Sequence, residues 1–203
     1  MVGGSGMFID ALCNGLDEIP TDPTLRKELI AYVELNGIEP LITELKEKDP
    51  VFYEQVDLNN PVRIMRAIEV MRISEQAFSS LRKATKKVHD FKIQRFIIDH
   101  PREQLYNRIN LRVDLMLENG LLDEVKSVMD KKHLNALKTV GYSELFEYID
   151  GKTTLDEAVE KIKQNSRRYA KRQLTWFRKH QDAIWIPFES VDAMKNKVLS
   201  KIT

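Results

Sequence analysis

One cysteine, Cys13, stands among 203 residues, so no disulfide can close within the chain. The four histidines, at 89, 100, 133 and 180, lie far apart, and no Cys/His group has zinc spacing. Glycine (8) and proline (7) are too scarce for a collagen-like or low-complexity chain. No apolar run approaches the roughly 18 residues that would suggest a membrane span. Met1 to Met7 lack the basic start and apolar stretch of a signal peptide, so the chain reads as cytoplasmic. A Gly-x-x-x-x-Gly-Lys-Ser/Thr phosphate loop is missing. Gly151-Lys152-Thr153 copies its tail, but Phe146 stands where the first glycine belongs and the stretch lies between two helices, so it reads as helix punctuation. No Ser/His/Asp or Cys/His arrangement is legible, and no carboxylate stands out as a general base.

What is present is a chain of ordinary globular composition, 42% hydrophobic and 31% charged, long enough for one domain or two small ones. Its net charge of +1 hides an asymmetry. Residues 1–60 carry 4 Lys/Arg against 12 Asp/Glu, a net −8, and residues 61–203 carry 28 against 19, a net +9. Such a split suits one face to polyanions, although solvated helix surface has the same composition.

Four helix starts share one device: Asp22-Pro23, Glu39-Pro40, Asp49-Pro50 and Asn60-Pro61 each put an acceptor ahead of a proline. Asp or Asn can cap orphan N–H groups, Pro loses nothing at the first helical position, and Glu39 is the weaker cap. The first of these helices carries Leu25, Leu29, Ile30 and Val33 on one face and stops at Gly37. Four short helices within 23–73 predict a small helical subdomain. Residues 92–98 are the best strand, ended by His100-Pro101. Ala183–Pro187 is a weaker strand candidate, and Met1-Val2 could be the tail of another. A helix from Pro101 to Asn119 carries Leu105, Ile109, Val113, Met116 and Leu117 on one stripe and stops at Gly120; helices over Leu121–Asp130 and Tyr142–Asp150 follow. The last long helix starts after Thr153 or Thr154, each with an acidic residue three positions on. Leu155, Val159, Ile162, Tyr169, Gln173 and Trp176 trace one side of it, and its length is on the order of 39 Å.

Val2-Gly3-Gly4-Ser5-Gly6 is the only glycine-rich stretch, suited to close backbone approach by a ligand or to a plain strand-to-helix turn. Arg108 and Arg112 lie one turn apart, each about 60° from the apolar stripe of their helix. Two arginines there suit a diphosphate, and they equally suit snorkelling side chains paired with Asp114 or Glu118. Arg63 and Arg66 share a face on the helix after Asn60-Pro61, which could equally be a solvated face with Glu69. Lys161 to His180 holds eight Lys/Arg and no acid. Helical spacing sorts seven of them into two ridges, Lys161, Arg168, Arg172 and Lys179 on one and Arg167, Lys171 and Arg178 on the other. Cations with no neutralising acid seek phosphates, and Tyr169, Trp176 and Phe177 add aromatic planes that also serve core packing.

These pieces, in this order, resemble the tRNA dimethylallyltransferase family. The matching blocks are Val2 to Gly6, Asp22 to Arg26, Asn60 to Val70, Arg108 to Leu121, Val140-Gly141-Tyr142, and Arg168 to Phe177. The resemblance implies an α/β P-loop NTPase-like core, incomplete in this predominantly helical chain. The core would comprise residues 1–16 and 81–203, with a helical insertion at 17–80 that grips the tRNA anticodon stem-loop. It implies transfer of a dimethylallyl group from dimethylallyl diphosphate to the exocyclic amine of the adenosine 3′ to the anticodon, with the base flipped out of its stack. Magnesium is the implied cofactor, and ATP-binding is implied by the nucleotide-binding core. Arg112 is implied as the catalytic arginine, contacting the diphosphate with Arg108. Ser5, Arg26, Arg63, Arg66, Lys138, Gly141, Tyr142, Lys171, Arg172, Gln173, Thr175, Trp176 and Arg178 are implied as tRNA contacts.

The chain departs from the family pattern at Ser5 (usually Thr), Met7-Phe8 (usually Leu-Tyr), Ser143 (usually basic) and Ser166 (usually Thr). The family's phosphate loop and catalytic aspartate precede the Val-Gly-Gly block. This chain is therefore expected to be the C-terminal two-thirds, inactive alone and prone to self-association through an exposed sheet, where the full-length form is expected to be a monomer. A non-catalytic RNA-binding module and a transferase acting on free adenylate are the alternatives.

Overall fold

Three of the four acceptor–proline pairs start helices as their chemistry requires. Asp22 accepts hydrogen bonds from the Thr24 and Leu25 N–H groups at 2.8 and 3.2 Å, Asp49 from Phe52 at 3.0 Å, and Asn60 from Arg63 at 3.3 Å. The fourth differs: Ile38 takes the cap position without a side-chain bond. Glu39 lies inside the first turn, where its charge faces the positive helix end.

The computed structural model describes residues 1–82 and 87–202, which divide into two compact units. The first in chain order is Met7–Phe91, and the other joins Met1–Gly6 to Lys92–Thr203. The stretch 17–80, which the resemblance assigns to a helical insertion, lies within the first of these units.

The helices up to residue 82 are α1 (Gly6–Asn14), α2 (Pro23–Asn36), α3 (Glu39–Lys48), α4 (Pro50–Tyr53), α5 (Pro61–Ser74) and α6 (Phe78–Leu81). Leu29, Leu41, Leu45, Ile64, Ile68 and Val70 form the centre of the helical unit's core, and Phe52 meets Phe78 edge to face at 4.7 Å. Leu25 and Val33 pack against this core from α2, whereas Ile30 faces outward.

Two buried carboxylates join elements that sequence spacing does not. Asp49, besides capping α4, accepts from the Ser79 N–H and hydroxyl, both at 2.7 Å, and so holds α6 to α4. Glu69 on α5 is 1% exposed and takes a fork from Arg26 of α2, with N–O distances of 2.8 to 3.1 Å. It also accepts from the Asp22 N–H at 3.0 Å and pairs with Arg66 at 3.2 Å. Arg66 in turn donates to the Pro20 and Ile19 carbonyls at 2.9 and 3.4 Å, tying the segment ahead of α2 to α5.

The other unit contains β1 (Phe96–Asp99), α7 (Arg102–Glu118), α8 (Leu121–Ser127), α9 (Tyr142–Ile149), α10 (Leu155–Phe177), β2 (Ile184–Pro187) and α11 (Val191–Ile202). β1 and β2 pair in parallel, Phe96 opposite Ile184 through Asp99 opposite Pro187. A parallel pair needs a long crossover, and α7 to α10 supply it. The strand expected over 92–98 runs 96–99, because its partner is only four residues long. Met1-Val2 forms no strand. Thr154, not Thr153, caps α10: its hydroxyl accepts from the Glu157 N–H at 3.2 Å, and Glu157 accepts from the Thr154 N–H at 2.8 Å. Val113, Leu121, Val125, Leu145, Phe146, Ala158 and Ile162 make this unit's core. No helix among the described residues is long and apolar enough to cross a membrane.

Burial pushes the Glu69 carboxyl pKa up, but the Asp22 N–H and the two guanidiniums outweigh it, so it lies below the ordinary glutamate value. A depressed carboxyl contributes stability above its unfolded pKa of about 4.3 and loses it as pH falls through the folded value. Glu69→Gln should therefore cost about 2 kcal/mol at pH 7 and flatten the acid side of the stability profile. Urea melts at pH 7 and below pH 4 check this; equal stability of both proteins at pH 7 contradicts it.

Candidate nucleic-acid interface

Helix α10 buries Ala158, Ile162 and Ala170. Its rotation is set from below by Glu144 of α9. That buried carboxylate accepts from the Gly141 N–H at 2.8 Å and from the Asn165 amide at 2.6 Å. Asn165 also receives a bond from Arg168 at 3.4 Å. Tyr169, expected on the packed side, is exposed, with the Arg172 guanidinium 5.8 Å from its ring centre. Small Ala170 takes the buried place beside it.

The basic run does not act as one block. Lys163 is held by Asp114 of α7 at 2.8 Å and by Glu160 at 3.1 Å. Arg167 turns to α7 and donates to Asn110 at 2.5 Å. Arg168, Lys171, Arg172, Thr175, Trp176 and Lys179 line an open groove of about 480 Å³. The Lys179 ammonium lies 4.8 Å from the Trp176 ring centre, so an aromatic plane and four cations share one surface. Lys161 and Arg178 are exposed outside that lining.

The N-terminal glycines sit against this same helix. Gln173 donates to the Gly4 carbonyl at 2.8 Å. A Cβ on Gly4 would lie 2.4 Å from the Gln173 amide nitrogen, and one on Gly6 would lie 2.2 Å from the Trp176 ring. The close approach expected of these glycines is made by α10 itself. Ser5 is exposed between them.

Lys138 is exposed in the segment before α9. Gly141 has φ +103°, a conformation that disfavours any side chain, and Glu144 pins its N–H. The half-buried Tyr142 donates its hydroxyl to Glu124 of α8, and that bond holds the phenol above its ordinary pKa. On α7, Arg108 and Arg112 are both exposed. Arg108 lies over Phe188, 5.1 Å from its ring centre, and Phe188 stacks on His100 at 3.7 Å. Burial and the nearby Arg108 charge lower the His100 pKa, against the opposing effect of Asp99. Asp114, one of two acids considered as arginine partners, pairs with Lys163 instead.

Arg26, Arg63 and Arg66 belong to the helical unit. Arg63 is exposed, but the guanidiniums of Arg26 and Arg66 are engaged by Glu69, leaving their side chains 48% and 28% exposed. Glu69 is therefore buried rather than part of a solvated face. Among the described residues no group of three His, Cys, Asp or Glu converges that could by itself enclose a metal ion. Sequence reasoning missed Glu144, Asn165 and Glu124. The only local signal was Gly141-x-x-Glu144, an acid three residues after a helix-start glycine.

Gly6→Ala should cost about 1–3 kcal/mol, since a methyl group meets a fixed indole. Gly3→Ala should be neutral by comparison, because nothing lies within 4 Å of its Cβ position. Thermal melts of both variants decide; a Gly6→Ala protein as stable as Gly3→Ala contradicts the packing role.

The chain is 46% identical over 195 residues to tRNA dimethylallyltransferase 2 of Parabacteroides distasonis, covering 96% of this chain and 65% of that one. It is 44% identical over 205 residues to tRNA dimethylallyltransferase 1 of Bacteroides thetaiotaomicron, covering 100% and 67%. The chain thus spans about two thirds of the length of these relatives. The full-length tRNA isopentenylpyrophosphate transferase of Bacillus halodurans superposes with a TM-score of 0.60 at 32% identity, over 97% of this chain and 63% of that one. A eukaryotic dimethylallyltransferase acting on tRNA has the same fold, with a TM-score of 0.76 at 21% identity over 99% and 54%. The IPP transferase family model matches residues 1–180, and with these relatives it establishes that the chain belongs to the IPP transferase family.

Proposed function

We propose that this chain serves dimethylallyl transfer to tRNA, with its α10 groove gripping the RNA and its α7 arginines facing the diphosphate. The observation that carries the reading is the groove of Arg168, Lys171, Arg172 and Lys179 around Trp176 in a family member. Four cations on one groove suit successive phosphates, and the Trp176 ring among them suits a stacked base. The unit Met7–Phe91 takes the anticodon stem-loop, with Arg63 free to reach phosphate and Arg26 and Arg66 anchored through Glu69. Ser5, Lys138, Gly141 and Tyr142 complete the RNA contacts. The setting is cytoplasmic and the working form a monomer.

In the reaction, the exocyclic amine of adenosine attacks the allylic carbon of dimethylallyl diphosphate. The C–O bond breaks, diphosphate leaves with the electron pair, and the amine proton passes to a base outside the residues named here. Charge develops on the leaving diphosphate, where Arg112 and Arg108 can fork its oxygens. A magnesium ion would share that charge. A transferase for free adenylate and a non-catalytic RNA module are the competing readings.

Two experiments test the proposal. Lys171→Glu with Arg172→Glu should weaken anticodon stem-loop binding by the chain at least tenfold and lower its salt slope by about two. An unchanged affinity and slope would refute the groove. In a chimera that adds the third of the Parabacteroides distasonis relative left uncovered by the match, Arg112→Ala should cut transfer of labelled dimethylallyl groups by about 10²–10³. Its melting temperature should not move, and Arg112→Lys should rescue poorly because a point charge loses the fork. Full activity of the alanine variant overturns the role of Arg112, and transfer to AMP in preference to the stem-loop favours the adenylate reading.

A further inference from the structure

A second depression, of about 600 Å³, shares no lining residue with the α10 groove. Arg102, Glu103, Tyr106, Asn107 and Asn110 of α7 line it together with Arg167. The α7 members from Glu103 onward are spaced i, i+3, i+4, i+7, so they form one helix face. That face is distinct from the one bearing Arg108 and Arg112. Arg167 is fixed by its 2.5 Å bond to Asn110, and Arg102 lies 5.2 Å from the Tyr106 ring centre. Two oriented guanidiniums therefore flank the pocket, with two amides and a phenol between them.

We propose that this pocket binds a ribose–phosphate unit of RNA and reads its 2′-hydroxyl. The donor and acceptor inventory selects that ligand. The guanidiniums donate only, and suit phosphate oxygens. The Glu103 carboxylate accepts only when ionised, and would repel a bare phosphate or diphosphate. A ligand that offers phosphate oxygens to the guanidiniums and a hydroxyl donor to Glu103 fits both, and within a nucleic-acid strand a ribose carries that hydroxyl where a deoxyribose does not. Asn107 and Asn110 can both donate and accept, as a sugar edge requires. The position agrees: Arg167 and Arg168 are consecutive on α10, one facing this pocket and the other lining the groove. This inference rests on the proposed RNA-binding role of α10.

The test is anisotropy titration of the 203-residue chain with an anticodon stem-loop in its RNA form and its 2′-deoxy form. Arg102→Ala should weaken the RNA form three- to tenfold and lower the salt slope by about one. Glu103→Ala and Glu103→Gln should reduce the preference for RNA over the deoxy form at least threefold, while melting temperature reports on the fold. Inorganic diphosphate should not compete at this pocket. If Arg102→Ala binds like the wild type, or if the Glu103 variants change both forms equally, the pocket proposal is wrong. If those variants are silent while the Lys171/Arg172 reversal weakens binding, the pocket falls and the groove stands. If the wild-type chain does not bind the stem-loop, both fall.

Discussion

The candidate interface depends on where the carboxylate of Glu144 finds its partners. Buried without them, it would cost several kcal/mol. Here both oxygens are used, one by the Gly141 N–H and one by the Asn165 amide. That pair of bonds fixes the turn before α9 and the rotation of α10 at the same time. Asn165 lies one turn before Arg168, whose guanidinium it accepts. A line of hydrogen bonds thus runs from the core to Arg168 at the rim of the groove.

A basic stretch is consequently not the same as a basic face. Lys163 and Arg167 are held away from the groove by Asp114, Glu160 and Asn110, whereas Arg168, Lys171, Arg172 and Lys179 share it. The same division holds in the helical unit. Arg26 and Arg66 converge on one buried carboxylate and hold α2 to α5. Exposed ion pairs contribute about 0–1 kcal/mol each, whereas Glu69 is buried and depends on these partners. Part of each of those two side chains still reaches solvent, so an anchoring arginine can also present a charge.

The N-terminal glycines show how one motif can be read in two ways from sequence. Three glycines within four positions permit close backbone approach, and sequence alone does not say by what. In the folded chain Gln173 and Trp176 make the approach, so glycine at 4 and 6 is a condition for docking the segment on α10. Gln173 and Trp176 were read as RNA contacts. Their packed sides now have a structural role, and Trp176 keeps an edge in the groove.

Local chemistry was legible in the sequence. Asp22, Asp49, Asn60 and Thr154 cap helices, Gly37 and Gly120 end them with positive φ, and Ile97 and Ile98 lie in a strand. Each of these acts within about four residues of itself, through φ, ψ and the unpaired groups of a helix end. The order of the motif blocks was equally visible, and it indicated the family without any coordinates. Tertiary structure alone decided the partners that sequence spacing cannot reach. Gln173 meets Gly4 across 169 positions, Arg26 meets Glu69 across 43, and Arg167 meets Asn110 across 57. It also decided that β1 pairs with β2, that Ile30 and Tyr169 face outward, and that Glu39 does not cap. Periodicity assigns a residue to a side of its helix, but the width of the buried stripe and the choice of ion partner depend on what packs against that side, and that is settled only when the elements meet.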